Sequence, residues 1–233
     1  MHSSCSTRAR APRAARHRLR LLLVASTLGA TFSVASLASS AAPAIAAPVA
    51  PMGIGGDRHS PAVAQRASEA LAARDVYVVA GTTGALSTYL RSINAAAGAV
   101  AVEYGVDPKV VRDAWARADL AHQTAVLAAL SQLGVQYQFN RSDPGVAFDC
   151  SGLTAFAWDR AGTGIAHQSS AQISAAAGRD EGSAMAGDLV QYPGHVMMSL
   201  GFDRAIVHAA NRNTDVELSR LRDRSYRFGD PSN

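Results

Sequence analysis

The chain has 233 residues and two cysteines, with 22 basic against 18 acidic side chains and a formal charge of +4. Six of the basic residues, Arg8, Arg10, Arg13, Arg16, Arg18 and Arg20, fall in the first 46 positions, and without them the balance is −2. The basic character belongs to that segment, which excludes a charge-based case for nucleic-acid binding by the rest.

The arginine-rich start leads into an apolar stretch from Leu21 to about Leu37, then into small residues ending Ala-Pro-Ala-Ile-Ala-Ala. That order predicts a secretory signal peptide over residues 1–46, hence a secreted or cell-wall-associated protein. Ser26, Thr27, Thr31 and Ser33 inside the apolar run argue against a stable membrane anchor. Beyond the leader a single thiol is left, Cys150, which has no partner for an internal disulfide and is a candidate reactive group.

Residues 47–60, rich in Pro and Gly, predict a disordered linker. Residues 61–118 form an Ala-rich helical segment without recognisable chemistry. A short helix is expected over Pro61–Arg74, and two or three more between Ala85 and Ala118, with Asp107-Pro108 as a helix start. Residues 119–230 form the domain that carries the chemistry. Val126, Leu130 and Leu133 recur at i, i+4 and i+7, the stripe of an amphipathic helix that Gly134 ends.

Asp149 stands at the N-cap position of a further helix and places Cys150 in its first turn. Free N–H groups and the helix dipole there favour thiolate, the nucleophilic form, so a lowered thiol pKa is expected. The same N–H groups can face an oxyanion when sulfur attacks a carbonyl. Beyond Gly187 the hydrophobic period switches to two, predicting a half-buried strand over His195–Leu200 and further strands over Ala205–Ala210 and Val216–Leu218. Helices first and strands later indicate an α+β fold.

A cysteine nucleophile needs an imidazole within reach. His59, in the linker, and His122, at a helix start, read as solvated bystanders. His195 and His208 bracket an apparent hairpin. A two-residue loop at Gly201-Phe202 pairs His195 with His208 on one face of the sheet, opposite to Val196 and Leu200. A zinc site built from Cys150, His195, His208 and His167 is the competing arrangement, but no close ligand pair is present.

Several blocks then resemble the NlpC/P60 family in the family's order: Leu133-Gly134-Val135-Gln136-Tyr137, Phe148-Asp149-Cys150-Ser151-Gly152-Leu153, Gly187-Asp188-Leu189, His195-Val196 with Leu200-Gly201, and Val207-His208-Ala209. The resemblance spans roughly residues 119–220. It implies a papain-like fold, N-terminal helices packed on an antiparallel sheet, and a cysteine endopeptidase acting on peptidoglycan stem peptides without a cofactor. The bond implied is the one between D-glutamate and a diamino acid. Carried over by position, Cys150 is the nucleophile, His195 its base and His208 the orienting residue. Tyr137 falls near the oxyanion, and Asp149 and Ser151 match positions that hold the stem peptide. His167–Gln172 resembles a segment lining the cleft. Met197-Met198-Ser199 stand where the family usually has Gly-Ile-Tyr, Pro is absent before Gly187, and the interval from Gly187 to His195 is short. A wall-binding module without turnover, or an amidase or acyltransferase using the same Cys–His pair, are the alternatives.

Overall fold

The computed structural model describes residues 54–233. The expected leader, with residues 47–53 of the linker, lies outside the described residues. Four helices come first: α1 (Pro61–Ala80), α2 (Thr83–Tyr104), α3 (Pro108–Arg117) and α4 (Leu120–Leu130). A small ribbon, β1 (Ser142–Asp143) with β2 (Ala147–Phe148), leads into α5 (Cys150–Arg160) and α6 (Ser169–Ala175). Six strands then form one antiparallel sheet: β3 (Ala177–Arg179), β4 (Ala186–Tyr192), β5 (His195–Leu200), β6 (Ala205–Ala209), β7 (Val216–Arg220) and β8 (Arg227–Asp230). Their order across the sheet is β3-β8-β4-β5-β6-β7. Among the described residues, no helix is long and apolar enough to cross a membrane.

The helix starts follow local chemistry. Ser60, Thr82, Asp107, Asp119 and Asp149 each cap the helix that follows with a side-chain oxygen, satisfying backbone donors that have no partner inside the helix. The helical segment differs from its expected form. The first helix runs six residues past Arg74, and Gly98 does not interrupt α2, which continues for 22 residues to its left-handed cap at Gly105. Packing decides this: Ala96, Ala97, Val100 and Ala101 on either side of Gly98 are all buried.

The helix α4 is not amphipathic. Every residue from Thr124 to Leu130 is buried, because the helix sits between the N-terminal helices and the sheet. Val196, Met198 and Leu200 face this main core, while Met197 and Ile206 join a smaller apolar cluster with Val190 and Phe228 on the other face. All six residues of β5 are therefore buried, not half of them.

The N-terminal helices are tied to the sheet by polar side chains. Tyr104 donates its hydroxyl to the carbonyls of Ile206 (2.9 Å) and Ser219 (2.8 Å). Trp115 donates its indole N–H to Leu200 O at 3.1 Å. The end of the expected linker is also held down: Gly56 N–H bonds Glu103 O, Ser60 Oγ bonds Glu103 Oε1 at 2.6 Å, and Arg58 O accepts from Leu218 N–H at 2.8 Å. Its Pro/Gly composition carried no trace of these long-range partners.

Candidate active site

Cys150 is the first residue of α5, and its N-cap is Asp149. One carboxylate oxygen of Asp149 accepts from Gly152 N–H (2.7 Å), Ser151 Oγ (3.0 Å) and His167 Nε2 (2.9 Å), and the other from Asn140 N–H (2.7 Å). Asp149 is thus occupied in joining the helix start to the 140–141 loop and to His167. Ser151 is buried and spends its hydroxyl on Asp149. Gly152 has no room for a side chain, because a Cβ there would lie 2.0 Å from Arg141 O.

The Cys150 thiol is buried, and this reverses the expected direction of its pKa. Burial pushes it above its ordinary value, against the N–H groups of Val196, Ser151 and Cys150 itself, and the nearby Asp149 charge pushes the same way. The helix start provides its donors, but desolvation of the anion outweighs them. Tyr137 is half-buried, with its phenol pKa raised by burial and by the charges of Cys150 and Asp149.

The two histidines meet, although in another register. A four-residue loop, 201–204, joins β5 to β6, with Gly201, Asp203 and Arg204 at positive φ, and the strands pair Met198 with Val207 and Ser199 with Ile206. The pairing is displaced by two residues from the expected one. A side-chain period of two preserves faces under an even shift, so His195 and His208 still share a face as diagonal neighbours. His195 Nε2 lies 2.9 Å from His208 Nδ1.

Burial lowers the His195 pKa to about 3, helped by the charges of His208 and Arg224. At neutral pH the Cys150 thiol and the His195 imidazole are both neutral at rest, the charge states from which general-base activation starts. Among the described residues no hydrogen bond joins Sγ to either ring; the Val196 N–H that faces Sγ belongs to the residue after His195. Such contacts are often long before substrate binds. A cavity of about 650 Å³ opens beside the histidines, lined in part by Tyr192, His195, His208, Glu217, Arg224 and Tyr226, and Cys150 is not in its lining.

Two elements of the region escaped sequence reasoning. Glu217 is buried, directly across from His208 in the β6–β7 pairing, with Oε1 at 3.5 Å from His208 Nε2. It sits in the strand Val216–Leu218, and only the pairing register could have singled it out. His122, read as a solvated bystander, is 1 % exposed. Its Nδ1 lies 2.9 Å from Asp119, and its Nε2 lies 3.3 Å from Asp188 and 3.4 Å from Asp230. A register shift in β4 between Ala186 and Leu189 accompanies the placement of Asp188 in this interior, an effect characteristic of a β-bulge. Burial opposes charge on His122, but hydrogen bonds to Asp188 and Asp119 outweigh it and raise its pKa. His122, Asp188 and Asp230 have metal-ligand spacing, but Arg179 already forms ion pairs with both carboxylates.

Against this geometry, residues 134–227 match the model of the NlpC/P60 family. By that match, this stretch is an NlpC/P60 family domain. A relative named a probable endopeptidase, from Corynebacterium glutamicum (strain R), is 30 % identical over 139 residues, 58 % of this chain. The match spans 65 % of that relative's length. Among solved structures, a hypothetical invasion protein of Mycobacterium tuberculosis is 22 % identical, covering 48 % of this chain and 62 % of that one, with a TM-score of 0.44. The P60 domain of a Mycobacterium avium subspecies paratuberculosis antigen is 24 % identical, covering 48 % of this chain and 96 % of that one, also at 0.44. The NlpC/P60 match begins at Gly134 and ends at Arg227, so it includes Tyr137, Asp149, Cys150, Ser151, His195, His208 and Glu217.

Proposed function

We propose that the protein is an exported cysteine endopeptidase that hydrolyses peptidoglycan stem peptides at the bond between D-glutamate and the diamino acid. The observation that carries this reading is the reactive-group geometry. Cys150 stands at a capped helix start against the N–H of Val196, the residue that follows His195, and the His195 imidazole meets that of His208 at 2.9 Å. The endopeptidase name of the 30 %-identical relative supports the reaction class.

In the proposed reaction His195 accepts the Cys150 proton as sulfur attacks the amide carbonyl, then returns it to the leaving amine. The Cys150 N–H, with Tyr137, faces the oxyanion, and water hydrolyses the thioester. No metal enters any step. His208 orients His195. Asp149 and Ser151, given their bonds, act by shaping the helix start and have little left to offer a substrate. Four arginines against two carboxylates line the cavity beside His195, a charge balance that suits the carboxylates of an acidic stem peptide.

The test is incubation of the protein, and of Cys150→Ala, with purified peptidoglycan, reading products by mass spectrometry. Fragments ending in D-glutamate that require Cys150 are expected. Fragments released equally by Cys150→Ala would refute the mechanism, and a product cut between sugar and peptide would assign an amidase instead.

A further inference from the structure

We propose that Glu217 is a positioning residue that sets the tautomers of both imidazoles, His208 and His195, and that Arg58 and His59 hold it in place. The inference rests on the endopeptidase reading only for its kinetic consequence. The geometry behind it is independent of that reading.

A ring nitrogen that faces a carboxylate carries a proton, and its partner nitrogen is then the acceptor. Glu217 Oε1 faces His208 Nε2 at 3.5 Å. His208 therefore bears its proton on Nε2 and offers a lone pair at Nδ1. That lone pair is 2.9 Å from His195 Nε2, so His195 donates from Nε2. A neutral imidazole has one proton, which leaves His195 Nδ1 bare. The bare nitrogen is the one that can take a proton from Cys150. Without the carboxylate, His208 is free to carry its proton on Nδ1, and His195 must then accept at Nε2 and carry its own proton on Nδ1. The base is blocked in that arrangement.

Three features suit Glu217 to this task. It is 6 % exposed and directly opposite His208 across two paired strands, so its carboxylate has little freedom to turn away. The neighbouring His208, Arg58 and His59 keep its pKa below the ordinary carboxylate value, against burial. It is thus an acceptor at neutral pH. Arg58 Nη1 approaches the same Oε1 at 3.8 Å and His59 Nε2 approaches Oε2 at 3.9 Å, on a segment that Arg58 O and Glu103 secure. The residues just before α1 thereby complete a chain running Arg58/His59, Glu217, His208, His195. A carboxylate behind a histidine that selects its tautomer is the device of the serine-protease triad, here placed one imidazole further back.

The experiment is nitrogen-15 NMR of ring-labelled histidine in the wild-type protein, Glu217→Leu and Glu217→Gln, alongside kcat and KM on muropeptides. The wild type is expected to show Nε2–H tautomers for both His195 and His208. In Glu217→Leu the His208 signals shift toward the Nδ1–H form, and kcat falls about 10- to 100-fold with KM nearly unchanged, the usual scale for an orienting partner. Glu217→Gln, whose amide oxygen still accepts, restores the tautomers and most of kcat. A wild-type His208 protonated on Nδ1 overturns the proposal, as does a folded Glu217→Leu with unchanged tautomers. The wild-type spectrum decides the matter even where a variant does not fold. A wild type that cuts no peptidoglycan defeats the endopeptidase reading, and the spectrum still judges Glu217.

Discussion

Replacing Gly152 by Ala tests the packing of the helix that begins at Cys150. In a helix interior the change alone stabilises by about 1 kcal/mol, the difference in intrinsic propensity. Here the new Cβ would sit 2.0 Å from Arg141 O and 2.9 Å from both the Arg141 carbonyl carbon and His167 Nε2. The carbonyl is backbone and accepts from Asp149 N–H at 2.9 Å, so it cannot retreat without pulling on the cap. Overpacking costs about 1–3 kcal/mol, and a weakened Asp149 cap about 1 more. These exceed the propensity gain, and a net loss of about 1–3 kcal/mol is expected. Gly98→Ala is the control. It lies inside α2 with nothing within 4 Å of its Cβ position, so it should gain about 0.5–1 kcal/mol. Urea denaturation at constant m-value measures both, and the rate of Cys150 alkylation reports the thiol's surroundings. A Gly152→Ala protein as stable as the wild type, with unchanged alkylation, would refute the reasoning.

The two buried histidines predict opposite pH limbs. The folded pKa of His195 is depressed from 6.5 to about 3, so its neutral form contributes stability above pH 6.5 that is lost as pH falls toward 3. His195→Gln should flatten the acid limb of the urea midpoint, and an unchanged limb counts against a buried neutral imidazole. The folded pKa of His122 is raised, so its contribution is complete below 6.5 and is lost as pH rises through the folded value. His122→Gln should be destabilising at pH 6 and progressively less so in alkali. Tyr104→Phe removes the hydroxyl that bonds Ile206 O and Ser219 O. A loss of about 1–2 kcal/mol is expected, with faster amide exchange in β6 and β7. Equal stability would mean that the N-terminal helices are held by apolar packing alone.

Local rules read directly from the chain account for much of the site. Asp149 as cap, Cys150 in the first turn, Asp107-Pro108 as a helix start and the strands near 195, 205 and 216 all depend on neighbours a few residues away. Short-range hydrogen bonding and the side-chain period therefore determine them. The common face of His195 and His208 was legible for the same reason, since parity survives a two-residue error in register. What only the tertiary structure decided are quantities that depend on burial and on distant partners. The thiol pKa rises because the Cys150 helix start is packed against β5, a desolvation that no cap motif encodes. The pKa of His122 is raised inside the core because Asp188, 66 positions away, and Asp230 converge on it with Asp119. Glu217 stands behind His208 because strand pairing put it there, and Arg58 reaches Glu217 although its own segment reads as linker. Sequence determined which groups were available and which way they face; packing determined their charge states and their partners, because electrostatic cost depends on how much water the fold removes.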